Sequence, residues 1–404
     1  MKPHRPKNAR PKNQKAARDI YAMRKRKKRK KVLIQCAWLL LLSVSVLILY
    51  QRRDSWIPKL ETMGVRHQAG SQDDRAQQDG KFSIYMPGNR NYQAGQVGGR
   101  LMLLNDSYLY IYETDGTLLS SRQHAYGSAM LRTEGEYALV YEYGGTNFRL
   151  ETGTKLRYEK KVGNPIIFGR VSAEGTVALV TASDNCSCKL LVFNAKGQQF
   201  YERDCVERIT DVSFHAGGTG CYAVSTDAAE GSLFSVLHSY SFSQKEDFWS
   251  SQPLDMLAIS VYNTDDGSVF VLGDTQCCWF SAEGALTGSY VYPDALSRSD
   301  FSGGTAALVF ANSEMRTESV AILSGSTAEP VLRSYERSIQ DIGVRQDTGE
   351  VIVLLRNQLE ILSRSGSLLG TSPVKDSCEG FVRAGGYLFL LGYDRISRME
   401  EPGI

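Results

Sequence analysis

A turn glycine followed by a short apolar strand recurs eight times along this 404-residue chain, and no other feature restricts its fold as much. The copies read GGRLMLL from Gly98, EGEYALVYEY from Glu134, EGTVALVTAS from Glu174 and GGTGCYAVS from Gly217. They continue as DGSVFVLG from Asp266, GGTAALVFA from Gly303, TGEVIVLL from Thr348 and GGYLFLLG from Gly385. The turn glycines Gly99, Gly135, Gly175, Gly218, Gly267, Gly304, Gly349 and Gly386 are spaced by 41 residues on average. A second hairpin lies between copies, clearest at Gly116, Gly197, Gly284 and Gly366 and weaker at Gly153 and Gly325. Tight hairpins need positive φ, which glycine adopts without steric strain.

Two hairpins per period make four strands, and radial repetition of four-stranded sheets at this length is a β-propeller. The expected class is therefore all-β, with eight four-stranded blades, or seven if one repeat is irregular. No stretch after residue 60 has a long amphipathic helical period, which argues against helical solenoids and α/β folds. The eighth copy runs out after YDRISRM, one strand short. The early strand FSIYM, Phe82–Met86, has no repeat of its own and is expected to supply the missing outer strand.

Charge divides the chain. Residues 1–31 hold fifteen Lys and Arg against the single acid Asp19, while the remaining 373 carry a net charge of −11. Between these bodies runs an apolar stretch, Val32 to Tyr50, whose length suits one bilayer crossing at about 1.5 Å per residue. Basic flanks stay cytoplasmic, so Arg24, Lys25, Arg26, Lys27, Lys28, Arg29, Lys30 and Lys31 orient the span as a signal anchor with the C-terminal domain outside. The expected organisation is a basic cytoplasmic tail at 1–31, a transmembrane helix at 32–50, a polar flexible spacer at 51–81 and an extracytoplasmic propeller at 82–400. The same tail would attract anionic lipid headgroups. A nucleic-acid arm is the other reading of those basic residues. Only Tyr21 interleaves them, so base stacking has little support and no nucleic-acid partner is expected.

The layout of one span followed by degenerate DG and GG hairpins resembles a family of uncharacterised single-pass membrane-anchored propellers of clostridial-type Gram-positive bacteria. More loosely it is similar to the quinoprotein-like eight-bladed propellers, some of which are envelope scaffolds. The resemblance implies an envelope protein or ligand as partner and carries over no catalytic residue. A regular tryptophan docking motif of the dehydrogenase type is absent, so no quinone cofactor is implied.

Chemistry-bearing residues are sparse. Seven cysteines follow the span: Cys186, Cys188, Cys205, Cys221, Cys277, Cys278 and Cys378. If the NAKGQQF turn is symmetric, Cys188 faces Cys205 across a hairpin at disulfide distance. Both a disulfide and a set of reduced, partly buried thiols fit that placement. The spacings lack the repeated C-x₂₋₄-C of structural zinc sites, and no metal is expected. His124, His215 and His238 each stand alone, and no G-x-S-x-G elbow is present. The NTDDGS segment, Asn263–Ser268, reads as an ordinary turn. Tyr141, Tyr143, Tyr290, Tyr292 and Tyr335 fit packing between blades. Phe248 and Trp249, in the irregular stretch Ser239–Gln252 of the longest period, are the candidate partner-binding pair.

Three functions fit these observations. The first is a non-catalytic binding or scaffolding module held off the membrane. The second is a hydrolase or lyase with acids or histidines converging on the central channel. The third is a signalling part that reads an outside ligand through its single helix.

Overall fold

The computed structural model describes residues 82–85, 92–244, 247–264, 266–325, 329–374 and 378–402. These residues form eight four-stranded antiparallel sheets. Blades 1 to 7 are built from consecutive strands and span 93–123, 129–161, 166–205, 208–250, 258–291, 295–335 and 339–373. Blade 8 takes three strands from 378–400 and its outermost strand, Ile84–Tyr85, from the start of the described chain. That strand pairs Ile84 with Ile396 and Tyr85 with Arg395, closing the ring as expected. First strands of neighbouring blades pack together at six of the eight junctions, including that of blades 8 and 1, so they line the axis. The basic tail, the expected span and the spacer lie outside the described residues. Among the described residues no helix is long and apolar enough to cross a membrane.

The turn chemistry matches the repeat. All eight glycines that follow the first strands have positive φ, as do Gly116, Gly197, Gly284, Gly325 and Gly366 after the third strands. The middle strands are continuous apolar runs because each is covered on both faces. In Val177–Thr181, Val177 and Leu179 face blade 2 while Ala178 and Val180 face blade 4. Eight apolar clusters result, one at each blade interface, and they constitute the core.

One expectation about the longest period is corrected here. Among the described residues of Ser239–Gln252, the chain runs mainly in the third and fourth strands of blade 4, Ser232–Ser241 and Asp247–Ser250, and the extra residues of the period do not form an irregular loop there. They extend the central hairpin, whose strands Gly220–Ala229 and Ser232–Ser241 have ten residues each. Its tip, Glu230–Gly231, has positive φ at both residues, the backbone of a two-residue hairpin turn.

Candidate functional site

Antiparallel strands put their connections on alternate faces of the ring. The tight glycine turns share one face, whereas the second-to-third-strand loops and the links between blades share the other, the loop face. Blade 4's long hairpin rises from the loop face, its base held by reciprocal backbone bonds between Ser235 and Leu254. Exposed apolar side chains gather in the same sector. Val206 is 77% exposed and Leu233 56%, with Ile167, Leu257, Ile259 and Val291 also exposed across blades 3 to 5.

At the junction of blades 3 and 4 this face opens into a cavity of about 480 Å³. Its walls are the first strand of blade 3 (Ile167, Phe168), the loop Ala182–Ser187 and the first strand of blade 4 (Arg208, Ile209, Thr210). Ile167 and Thr210 reach it because each sits at a register shift between the first two strands of its blade. A bulge of this kind re-aims a side chain that regular pleating would send elsewhere. The hydroxyls are occupied: Ser187 Oγ donates to the Val206 carbonyl (2.5 Å) and Thr210 Oγ1 to that of Ala258 (3.0 Å). Arg208 is exposed at the mouth and has no ion-pair partner among the described residues. The cavity therefore offers an apolar floor with one cation at its rim.

Cys188 and Cys205 flank these walls. They are paired in register across blade 3 and both are buried, as the symmetric-turn argument placed them. Interaction between the two thiols lowers the Cys188 pKa and pushes that of Cys205 up. Cys277 and Cys278 face opposite blade interfaces, which keeps adjacent thiols apart.

Behind the cavity, blade 4 holds a polar chain. Ser225 Oγ lies 2.8 Å from His238 Nε2, and His238 Nδ1 lies 3.3 Å from Asp247 Oδ2 and 2.9 Å from Ser250 Oγ. Arg203 of blade 3 pairs with Asp247. A carboxylate only accepts, so the imidazole proton belongs on Nδ1 and Nε2 accepts from Ser225. Burial lowers the His238 pKa, which keeps the ring neutral. The atom order matches a nucleophile relay, yet Ser225 is 2% exposed and the cavity wall at that level is its strand partner Ile209. The arrangement clamps blade 3 to the outer strand of blade 4.

Acids do converge on the axis, with a structural task. First strands are sheet edges whose outward N–H groups need acceptors. Asp211, Asp300 and Asp341 accept from Val261 (3.0 Å), Val344 (2.7 Å) and Phe381 (3.0 Å) of the following blades. Gln93 does the same for blade 2, accepting from Leu131 N and donating to the Ala129 carbonyl. Burial raises the pKa of Asp300 and Asp341.

Residues 84–394, all of the ring but the last strand of the chain, match the model of a family of unknown function, DUF5711. This chain belongs to DUF5711. No curated protein matches it. Among solved structures the DUF5711 ring is similar to BamB from Moraxella catarrhalis, at 10% identity and a TM-score of 0.54, covering 79% of this chain and 98% of that one. It is also similar to Chaetomium thermophilum Sqt1 bound to the N-terminus of ribosomal protein L10, at 14% identity and a TM-score of 0.56, covering 78% and 98%. At these identities the likeness is one of fold.

The DUF5711 ring separates the candidate pair Phe248 and Trp249. Phe248 is 68% exposed on the outer strand of blade 4. Trp249 turns into the blade 4–5 interface, where its Nε1 donates to the Ala282 carbonyl and its ring lies against Tyr222. Tyr141 and Tyr335 are buried, Tyr290 and Tyr292 pack between blades 5 and 6, and Tyr143 is exposed on the loop face. His124 and His215 also sit against neighbouring rings, Tyr126 and Tyr222. Sequence reasoning missed the cavity and the Arg203–Asp247–His238–Ser225 chain. The EG pair at Glu230–Gly231, flanked by strand-forming residues, was the one available signal for the projecting hairpin.

Proposed function

We propose that this protein is a membrane-tethered, extracytoplasmic, non-catalytic binding or scaffolding module that seats an envelope protein or ligand on the loop face of blades 3 to 5. The observation that carries the reading is the coincidence there of the cavity, the projecting hairpin and the exposed Val206, Leu233 and Leu257. Apolar side chains clustered around a concavity mark recognition surfaces, and loops on a rigid scaffold are where recognition is built. A protein of the same fold, Sqt1, has been captured with a protein N-terminus bound, which is precedent for a propeller taking a protein segment. Phe248 extends this surface around the outer edge of blade 4, and Trp249 holds the strand that presents it. Residues 32–50 supply the tether, with Arg24–Lys31 on the cytoplasmic side against anionic lipid.

The test is site-specific photocrosslinking in intact cells from positions 206, 233 and 257, with position 119 on the outer rim as control. The expected result is one shared partner from the three loop-face positions, not obtained from position 119 and lost in Leu233→Asp. Crosslinks indifferent to position, or turnover of a substrate that Ser225→Ala abolishes, would overturn it.

A further inference from the structure

We infer that Cys188 and Cys205 are an oxidisable pair whose disulfide locks together the two walls of the blade 3–4 cavity. The inference stands apart from the identity of any partner, because it rests on the register and on the position of the pair.

Cα atoms directly opposed in an antiparallel ladder lie about 4.5–5.5 Å apart, inside the range that a disulfide spans without backbone movement. Cys188 and Cys205 are so opposed, and both are buried in the same apolar cluster. Each is joined to a different wall. Cys188 follows Ser187 of the blade 3 loop, and Cys205 leads into Val206, Glu207 and Arg208 at the entry to blade 4. Noncovalent ties already run across the gap, from Ser187 Oγ to the Val206 carbonyl and from Cys188 Sγ to that of Glu207 (3.4 Å). A covalent bond at the same point would fix the mouth that these weaker bonds hold. Cys221 shares the apolar cluster but pairs with Phe214 and Tyr240, near the glycine-turn end of blade 4, and does not compete.

Access is through the third thiol. Cys186 is half-buried, with Sγ 3.0 Å from Ser183 Oγ and 3.1 Å from the Cys188 carbonyl. The oxidant is a disulfide RSSR, either a low-molecular-weight one or that of a thiol oxidase. The Cys186 thiolate attacks one sulfur of RSSR and expels RS⁻, giving a mixed disulfide. Cys188 displaces the second RS⁻ from Cys186, and Cys205 then attacks Cys188 Sγ and returns Cys186 as a thiolate. Two cysteine thiols lose two electrons and two protons, and RSSR becomes two RSH. The lowered pKa of Cys188 supports the middle step by favouring its thiolate.

The test uses the full-length protein in detergent, treated with oxidised glutathione, alkylated and digested with trypsin without reductant. Cleavage follows Arg170, Lys189, Arg203 and Arg208, so the pair falls on fragments 171–189 and 204–208. The expected product is those two fragments joined, lighter by two hydrogen atoms than their sum. It persists in Cys186→Ser, formed several-fold more slowly, and is absent from Cys188→Ser and Cys205→Ala. Amide hydrogen exchange at Ser187 and Val206–Arg208 slows on oxidation and recovers with reductant. A link that survives in Cys188→Ser, both thiols still alkylated after oxidation, or unchanged exchange at the two walls would each overturn the inference. Cys186→Ser leaves the buried pair intact, so the test stands even if the core variants do not fold.

Discussion

Asp341 illustrates how single residues hold this ring together. Its half-buried carboxylate accepts from Phe381 N–H, which is on the edge of the next blade and has no strand partner there. Asp341→Ala leaves that donor unsatisfied and should cost about 1–3 kcal/mol in urea unfolding. Asp341→Asn keeps an acceptor and should cost less. The folded pKa of Asp341 is raised above its ordinary 3.8, so its stabilising contribution is full below that value and is lost as pH rises through the folded pKa. The cost of Asp341→Asn relative to the parent should therefore shrink between pH 4 and 7. The histidines have the opposite sign. Burial lowers His124, His215 and His238 from 6.5, His215 to about 4. Stability from a depressed group is present above 6.5 and falls as pH drops toward the folded value. Because the two sets oppose each other over this range, each is read as a difference from the parent. His215→Gln should lose less stability than the parent between pH 6.5 and 4, measured by thermal melting.

Among elements, the turns and the closing strand carry the sharpest expectations. Gly175 and Gly218 both have positive φ, so an alanine at either is strained by about 1–2 kcal/mol. At Gly175 the new Cβ would also stand 2.7 Å from the Tyr137 ring, whereas at Gly218 nothing lies within 4 Å. Gly175→Ala should therefore be the more destabilising in chemical denaturation. The strand Ile84–Tyr85 is short, but it covers the edge of Arg395–Glu400 and buries Ile84 against blades 1 and 8. Ile84→Ala should cost about 2–5 kcal/mol. Deleting residues 82–85 exposes an unpaired edge and should produce higher oligomers on size exclusion.

Over the whole molecule, eight equivalent interfaces share the apolar core, and closure makes each depend on the others. Such a ring is rigid, and its recognition chemistry is left to the connections. The proposed address belongs to this scale too. A periplasmic-type alkaline phosphatase fused after Pro402 should be active in cells, and replacing Arg24–Lys31 with glutamine should reduce that activity by weakening the orientation signal. An inactive fusion, with a cytoplasmic reporter active in its place, would reverse the topology.

Period and turn chemistry are local, so eight blades, their four strands, the closing strand and the Cys188–Cys205 register were all legible in the order of residues. Hairpin symmetry alone brings residues 188 and 205 opposite each other, because a turn sets the register of its two strands. The same locality explains why most tyrosines were expected between blades. What the tertiary structure alone decided depends on contacts between blades, whose residues lie roughly one period of chain apart. Trp249 turns inward because blade 5 offers the Ala282 carbonyl, while its neighbour Phe248 points to solvent. Asp211, Asp300 and Asp341 look like catalytic candidates until the next blade's N–H groups are placed against them. The cavity is walled by the first strands of blades 3 and 4 and by a loop that has no repeat of its own, and no local pattern in the sequence encodes that meeting.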